Sequence, residues 1–250
     1  MNVKHKIVLI TGGAGGLGSA IAEKLCGQGA VTYLLDLDEK KGMEVQVRLQ
    51  KAGNQAYFIK MDLTDEKSWQ ETVDCIYQKE QRIDVLINNA GINIRKSIEE
   101  MRIEEWNTMM LVNTGSVFLG CKYVVPVMKE QKNGSIINTS SVCGLIGHKY
   151  TTEAYTATKG AVTLFTKSIA SRYAPYGVRC NSIHPSTVQT PLVEEMMKDP
   201  QKAAERIGEV PLGRLATVED VANAVLYLAS EEAAFINGVS LPIDGGVTCY

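Results

Sequence analysis

Tyr155 and Lys159 stand four positions apart in the stretch EAYTATKGAV, residues 153–162. Apolar residues at Ala157, Ala161, Val162, Leu164 and Phe165 continue the pattern to Ala174, and their spacing predicts a helix. Four positions make about one helical turn, so a phenol and an ammonium lie one above the other on one face. A free tyrosine, with a pKa of about 10, is a poor base near neutrality. A cation beside it favours the phenolate, which can take the proton of a hydroxyl and return it. Composition alone yields on the order of one Tyr-x-x-x-Lys in such a chain, so the pair needs company before it carries chemistry.

The elements that would position this pair are legible in the hydrophobic pattern. Short β-branched runs recur at 6–11, 30–36, 56–62, 84–90, 134–140, 178–185 and 238–246, separated by helical patterns. Their continuous apolar character suits strands covered on both faces, and the alternation predicts a doubly wound α/β sheet over one domain, 1–250. In such sheets ligands sit beyond the carboxyl ends of the strands. The stretch 186–216 has no clear strand pattern and, lying beside a strand end, is expected to be a substrate lid.

The totals exclude several classes. Hydrophobic residues make up 45% and charged residues 22%, an ordinary globular mixture, and a formal charge of −2 gives no reason to expect nucleic acid. The apolar stretch at the start is too short for a signal peptide, and no segment is expected to span a membrane. Six scattered cysteines without a C-x-x-C pair point to reduced thiols in the cytoplasm, and three distant histidines form no metal pattern.

The strand ends carry the remaining signals. The first ends in TGGAGGLG, 11–18, where glycines leave room for a ligand and the following helix offers N–H groups and a positive dipole end to a pyrophosphate. Gly13, Gly15 and Gly18 fit one glycine register and Gly12, Gly16 and Gly18 another; spacing alone leaves both open. The second strand ends at Asp36, placed to accept hydrogen bonds from ribose hydroxyls and to repel a 2′-phosphate, with no basic residue before Lys40. NAD is therefore expected over NADP. Asp38 is better placed than Asp36 to cap the next helix. Asp62, closing the third strand, could accept from an adenine amino group or serve as a turn former. The fourth ends in Asn88-Asn89-Ala90-Gly91, and Asn113 interrupts an apolar helical pattern further on. Ser140 and Ser141 end the fifth strand.

Taken together, T-G-x-x-x-G-x-G at 11–18, N-N-A-G at 88–91, Asn113, Ser141, Y-x-x-x-K at 155–159 and P-x-x-V-x-T at 185–190 resemble the short-chain dehydrogenase/reductase family across almost the whole chain. The resemblance implies a seven-stranded parallel Rossmann sheet and selects the Gly12, Gly16, Gly18 register. It implies a catalytic tetrad of Asn113, Ser141, Tyr155 and Lys159. NAD contacts would come from Gly12, Gly15, Gly16, Leu17, Gly18, Asp36, Leu37, Asp62, Leu63, Asn89, Ala90, Gly91, Tyr155, Lys159, Pro185, Val188 and Thr190. Tyr155 would exchange the proton as hydride passes between carbon and nicotinamide, Ser141 would hold the substrate oxygen, and Lys159 would bind ribose. The backbone carbonyl of Asn113 would hold a relay water.

Two departures from the family pattern stand out. Fourteen positions separate Ser141 from Tyr155, one more than common, and Ser186 replaces the glycine of a Pro-Gly pair. Were positive φ required there, serine would cost about 1–3 kcal/mol; a modestly altered loop avoids this. The expected activity is NAD-dependent interconversion of a secondary alcohol and a ketone. The alternatives are an NADPH-dependent 3-oxoacyl-acyl-carrier-protein reductase and a non-catalytic dinucleotide-binding protein. Ser141, Cys143, His148, Tyr155, Leu192 and Met196 are the expected substrate contacts, suited to a cyclic or hydrophobic alcohol. Family resemblance also implies a homotetramer.

Overall fold

A computed structural model describes every residue except Pro191, Leu192, Glu194 and Met196. Seven parallel strands form one sheet in the order β3-β2-β1-β4-β5-β6-β7. They are β1 (Ile7–Thr11), β2 (Val31–Asp36), β3 (Gln55–Lys60), β4 (Val85–Asn88), β5 (Gly134–Thr139), β6 (Val178–Pro185) and β7 (Ser240–Ile243). Each of the seven β-branched runs in the sequence overlaps one of them, β3 starting one residue before its run, and the Rossmann expectation holds.

Alternation along each strand divides the core into two layers. Val8, Ile10, Leu34, Val85, Ile87, Ile137 and Ile183 face one side, under α1 (Gly16–Cys26), α2 (Glu39–Lys51) and a late helix, Val218–Ala229. Ile7, Leu9, Tyr33, Leu35, Leu86, Ile136 and Cys180 face the other, under α3 (Glu66–Glu80), α5 (Ser116–Gln131) and α6 (Glu153–Tyr173). With both faces covered, every strand position can be apolar, which is why the sequence runs are continuous. Burying each large side chain contributes roughly 1.5–3 kcal/mol, so the two layers dominate stability.

Strand order reverses between β1 and β4, and a crevice opens beyond their carboxyl ends at such a reversal. Thr11 fastens its floor. Its buried hydroxyl accepts from the backbone N–H of Asn89 (2.9 Å) and Ala90 (3.1 Å), while the Asn89 side chain donates to the Thr11 carbonyl (3.2 Å).

The helical run containing Asn113 corrects one expectation. α4 (Ile103–Met110), a π-helical turn (Leu111–Gly115) and α5 join into 29 residues, Ile103–Gln131, long and apolar enough to cross a membrane by length and composition. The sequence reading placed the polar cluster Asn113–Ser116 inside an apolar helical pattern and expected no membrane-spanning length there. In the fold it packs against α3, α6 and the sheet, and Met109, Asn113, Ser116 and Val117 are buried in those contacts. The π turn resolves the conflict between a polar cluster and a helix, because an extra residue in the turn re-aims side chains without ending the helix.

Among the described residues α7 (Pro200–Gly208) follows β6, and the late helix Val218–Ala229 is α8. The expected lid stretch is tied at its base: Val188 bridges Ala216, and the Gln189 N–H donates to the Ala216 carbonyl at 2.8 Å. α7 rides on the excursion between these points.

Candidate active site

Residues 11–18 form a tight loop whose glycines divide the work. Gly12 takes φ +66°, which L side chains rarely adopt, and its carbonyl would lie 2.1 Å from a Cβ at Gly18. Gly15 is the N-cap of α1 with no side-chain cap, and the first turn carries no acid. Gly15 and Gly16 are exposed, so uncapped N–H groups of the first turn meet solvent at the crevice. This is a cradle for an anion. Leu17 instead packs its side chain onto the core.

Asp36 ends β2 beside that loop. Its carboxylate accepts from the N–H of Ala14 (3.0 Å) and Asp38 (3.1 Å), which holds it at the crevice rim. Asp38 caps α2 by accepting from the Lys41 N–H, as expected. Leu37 is exposed next to it. Asp62 is drawn into a turn, accepting from both the N–H and the hydroxyl of Thr64, and the Leu63 carbonyl accepts from the Trp69 indole at 2.9 Å. Asn89 and Ala90 are half-buried and Gly91 exposed beyond β4.

Asn113, fully buried, ties three elements together. Its side-chain oxygen accepts from the Ile92 N–H (2.7 Å), and its amide donates to the Ile92 carbonyl (2.9 Å) and the Thr158 hydroxyl (3.1 Å). The amide therefore clamps the loop after Gly91 to α6, one residue from Lys159. A helix-unfriendly residue is placed there because only a donor and acceptor together satisfy both Ile92 groups.

The two serines after β5 separate cleanly. Ser140 donates to the Lys159 carbonyl at 2.9 Å and is consumed in packing α6. Ser141 accepts from the Cys143 N–H (3.2 Å) at the head of a short 3-10 turn, Val142–Gly144, leaving its hydroxyl proton free. Ser141, Cys143, His148, Tyr155, Ser186 and Val188 line one cavity of about 250 Å³. Leu192 and Met196, expected here, lie outside the described residues.

Thr152 caps α6 at its start, and the helix brings Tyr155 to this cavity with Lys159 one turn on. Lys159 is buried, and its ammonium donates to the Thr139 carbonyl at 2.8 Å. Burial pulls its pKa down to about 8, with Cys143 opposing. Burial pushes the Tyr155 phenol up to about 12, and Cys143 adds to this, while Ser141 and Arg95 act the other way. The sequence reading expects the ammonium together with a nicotinamide charge to favour the phenolate; the protein's own groups by themselves raise the phenol. Desolvation of the hydroxyl outweighs a cation that sits 5.6 Å from the ring centre and is already hydrogen-bonded elsewhere.

Ser186 carries no backbone strain, since among the described non-glycine residues only His5, Gln81 and Lys132 have positive φ. Its hydroxyl is buried without a protein partner, and the residue is part of the cavity lining. Thr190 accepts from the Val193 N–H at 3.4 Å. Pro185 closes β6.

The far cavity wall holds residues the sequence reading missed. On α7, Arg206 donates to the Tyr150 carbonyl at 3.0 Å and lies 3.6 Å from Glu209. Glu209 also lies 3.5 Å from His148. Their i, i+3 spacing on an amphipathic helix was the available signal, but it lay in a stretch without a strand to anchor it. Thr11 was equally visible within the glycine motif, and its role emerged only from the crossing of β1 with β4.

The match to known proteins follows this geometry. A family description printed as "Enoyl-(Acyl carrier protein) reductase" matches residues 12–248. This chain belongs to the short-chain dehydrogenase/reductase family. It is 41% identical over 246 residues to a cyclopentanol dehydrogenase of Comamonas testosteroni, covering 98% of both chains. It is 37% identical over 252 residues to a trans-4-hydroxycyclohexanecarboxylate dehydrogenase of Sinomonas cyclohexanicum, covering 98% of this chain and 94% of that one. A 3-alpha-(or 20-beta)-hydroxysteroid dehydrogenase of Mycobacterium tuberculosis shares 38% over 241 residues, 96% and 88% of the two chains. Among solved structures, an NAD+-bound xylitol dehydrogenase superposes with TM-score 0.93 at 28% identity over 98% of this chain and all of that one. A putative gluconate 5-dehydrogenase from Beutenbergia cavernae with bound NADP gives 0.93 at 29%, covering 100% and 99%. The protein is thus an oxidoreductase of the alcohol dehydrogenase type within this family.

Proposed function

We propose that this protein is an NAD-dependent dehydrogenase that interconverts a compact cyclic secondary alcohol and its ketone. The observation that carries the reading is the convergence of the Ser141 and Tyr155 side chains on one cavity, with the buried Lys159 ammonium behind the phenol ring.

The residues present fit a nicotinamide dinucleotide. The uncapped amino end of α1 suits its pyrophosphate, and the Asp36 carboxylate, fixed by two N–H groups, suits ribose hydroxyls and opposes a 2′-phosphate. No basic residue occurs in the glycine loop to offset that repulsion, which favours NAD. Pro185, Val188 and Thr190 stand at the end of β6 where the carboxamide would lie. When bound, the cofactor supplies the hydride acceptor and a positive ring charge beside the phenol.

Tyr155 then removes the hydroxyl proton in oxidation and returns it in reduction. Ser141 donates its free proton to the substrate oxygen and fixes the carbon for transfer. Lys159 holds ribose and its charge steadies the phenolate, and Asn113 keeps the Gly91 loop against the ammonium. A cavity of about 250 Å³ falls below the range of roughly 300–1,000 Å³ that drug-sized ligands occupy, which favours a single ring over a steroid. The polar far wall of His148, Arg206 and Glu209 favours a ring bearing a second oxygen function. The stretch 186–216 acts as the lid over it, hinged where Val188 meets Ala216.

We further assign the protein to the cytoplasm as a homotetramer. All six cysteines are free thiols, and Leu111, Phe118 and Leu164 on the long helices are half or more exposed, as helices that pack between subunits require. An NADH-fluorescence screen of cyclic secondary alcohols and ketones tests the activity, and parallel titration with NADPH tests the cofactor. Stronger turnover with NADPH would favour the acyl-carrier-protein reductase reading and remove the role of Asp36.

A further inference from the structure

His184 is fully buried at the end of β6, paired in register with Pro242 of β7, and has no part in the chemistry above. Its two ring nitrogens are both engaged. Nδ1 lies 2.8 Å from the Ser141 carbonyl oxygen and Nε2 lies 2.8 Å from the Ser182 hydroxyl. A carbonyl can only accept, so Nδ1 carries a proton and donates. Nε2 of the neutral ring then accepts from the Ser182 hydroxyl. Burial lowers the ring's pKa, outweighing the opposing effect of the Ser141 carbonyl, and Lys159 and Lys167 lower it further, which keeps the ring neutral.

The carbonyl so held is at a sensitive place. Ser141 also accepts there from the Gly144 N–H at 2.8 Å, so both lone pairs are used and the peptide plane after Ser141 is fixed. Its side-chain oxygen accepts from Cys143 within the same turn. Together these bonds fix where the Ser141 side-chain oxygen stands, so its free proton can turn to an acceptor in the cavity. Without Nδ1 the Ser140 N–H still holds the Ile183 carbonyl of β6 at 2.9 Å, but the Ser141 carbonyl keeps only the turn's own Gly144 bond.

We propose that His184 is a positioning residue for the reaction: it donates to the Ser141 carbonyl and so aims the Ser141 hydroxyl at the substrate oxygen. This rests on the alcohol dehydrogenase reading, in which Ser141 touches substrate. An asparagine at this position can place its amide nitrogen where Nδ1 lies, whereas a glutamine places it where Nε2 lies. The pair His184→Asn and His184→Gln therefore tests which nitrogen matters, with both variants polar and uncharged.

With NAD⁺ and an alcohol that the wild type oxidises, His184→Asn is expected to keep kcat within threefold and His184→Gln to lose tenfold or more. KM for NAD⁺ should stay within twofold in both, and amide exchange over 142–146 should quicken only in His184→Gln. Equal losses in the two variants, or a greater loss in His184→Asn, would overturn the proposal. Should the wild type oxidise no secondary alcohol, the dehydrogenase reading fails on its own. Amide exchange still decides the contact: faster exchange in His184→Gln alone supports it, and unchanged exchange in both removes it.

Discussion

The Lys159 ammonium lies 5.6 Å from the centre of the Tyr155 ring and donates its hydrogen bond to Thr139, not to the phenol. The two side chains share a helix face, as their spacing requires, yet the protein alone leaves the phenol at about 12 and the lysine at about 8. In the proposed mechanism, activation of the tyrosine therefore comes with the positive charge of the bound cofactor added to that of Lys159.

That places a pH test on the phenol. In the free protein Tyr155 stays neutral throughout the physiological range, because its raised pKa keeps the proton on until high pH. Difference titration of wild type against Tyr155→Phe at the phenolate absorption band should show no ionisation below about pH 10 without cofactor. Adding NAD⁺ should move one tyrosine's ionisation down. An unmoved titration would remove the proposed activation.

Tyr155→Phe should reduce turnover by roughly 10²–10⁴-fold, the range of a positioned acid–base group. Fluorescence titration should find NADH affinity within about threefold of wild type, since the pyrophosphate cradle at α1 is far from the lost hydroxyl. Retained turnover would reassign the proton to another group.

Burying Lys159 costs stability, and the sign can be followed. Its folded pKa of about 8 lies below the ordinary 10.5, so between these values the unfolded chain binds more protons. Wild-type stability therefore rises with pH across that window, and the penalty is full below it. A shift of this size corresponds to about 3 kcal/mol. Lys159→Met should thus unfold at higher denaturant than wild type at pH 7, by about 2 kcal/mol once the lost Thr139 bond is counted. The gap should close within that window and, above pH 10.5, reverse by about 1 kcal/mol, the worth of the lost Thr139 bond. Urea melts at several pH values would measure it.

Asn113→Ala would leave the Ile92 N–H and carbonyl without partners. A loss of about 2–4 kcal/mol is expected, lowering the melting temperature by about 5–12 °C in calorimetry. A shift below about 1 °C would mean that the clamp at Ile92 is dispensable.

Asp36→Asn keeps an oxygen for one of the two N–H groups and removes the negative charge. The ratio of kcat/KM for NADH over NADPH should fall about tenfold or more, the worth of a charge–phosphate repulsion of about 1.4 kcal/mol.

Much of this was written in local sequence. The seven strands followed from continuous β-branched runs, because burial on both faces demands them, and Asp36 and Asp38 could be told apart by their distance from the helix. Ser141 and Ser140 could not be told apart by chemistry alone; the difference arises because α6 packs over one of them. The π turn at 111–115 was hidden, since one extra residue in a helix leaves the apolar pattern nearly intact. Arg206 and Glu209 were missed because their importance comes from where the excursion returns, which no local period encodes. The phenol's rise in the protein alone was not legible, because desolvation depends on how α6 packs and the expectation counted the lysine and the nicotinamide charge without it.

The bridge between Val188 and Ala216 has a consequence for how such enzymes diversify. Val188 and Ala216 lie side by side, so the chain between them starts and ends on the scaffold close together, and its length and composition can vary while the dinucleotide half keeps its register. The segment behaves as an exchangeable cassette. Transplanting 189–215 from a relative of different selectivity should carry substrate preference with it and leave coenzyme choice behind.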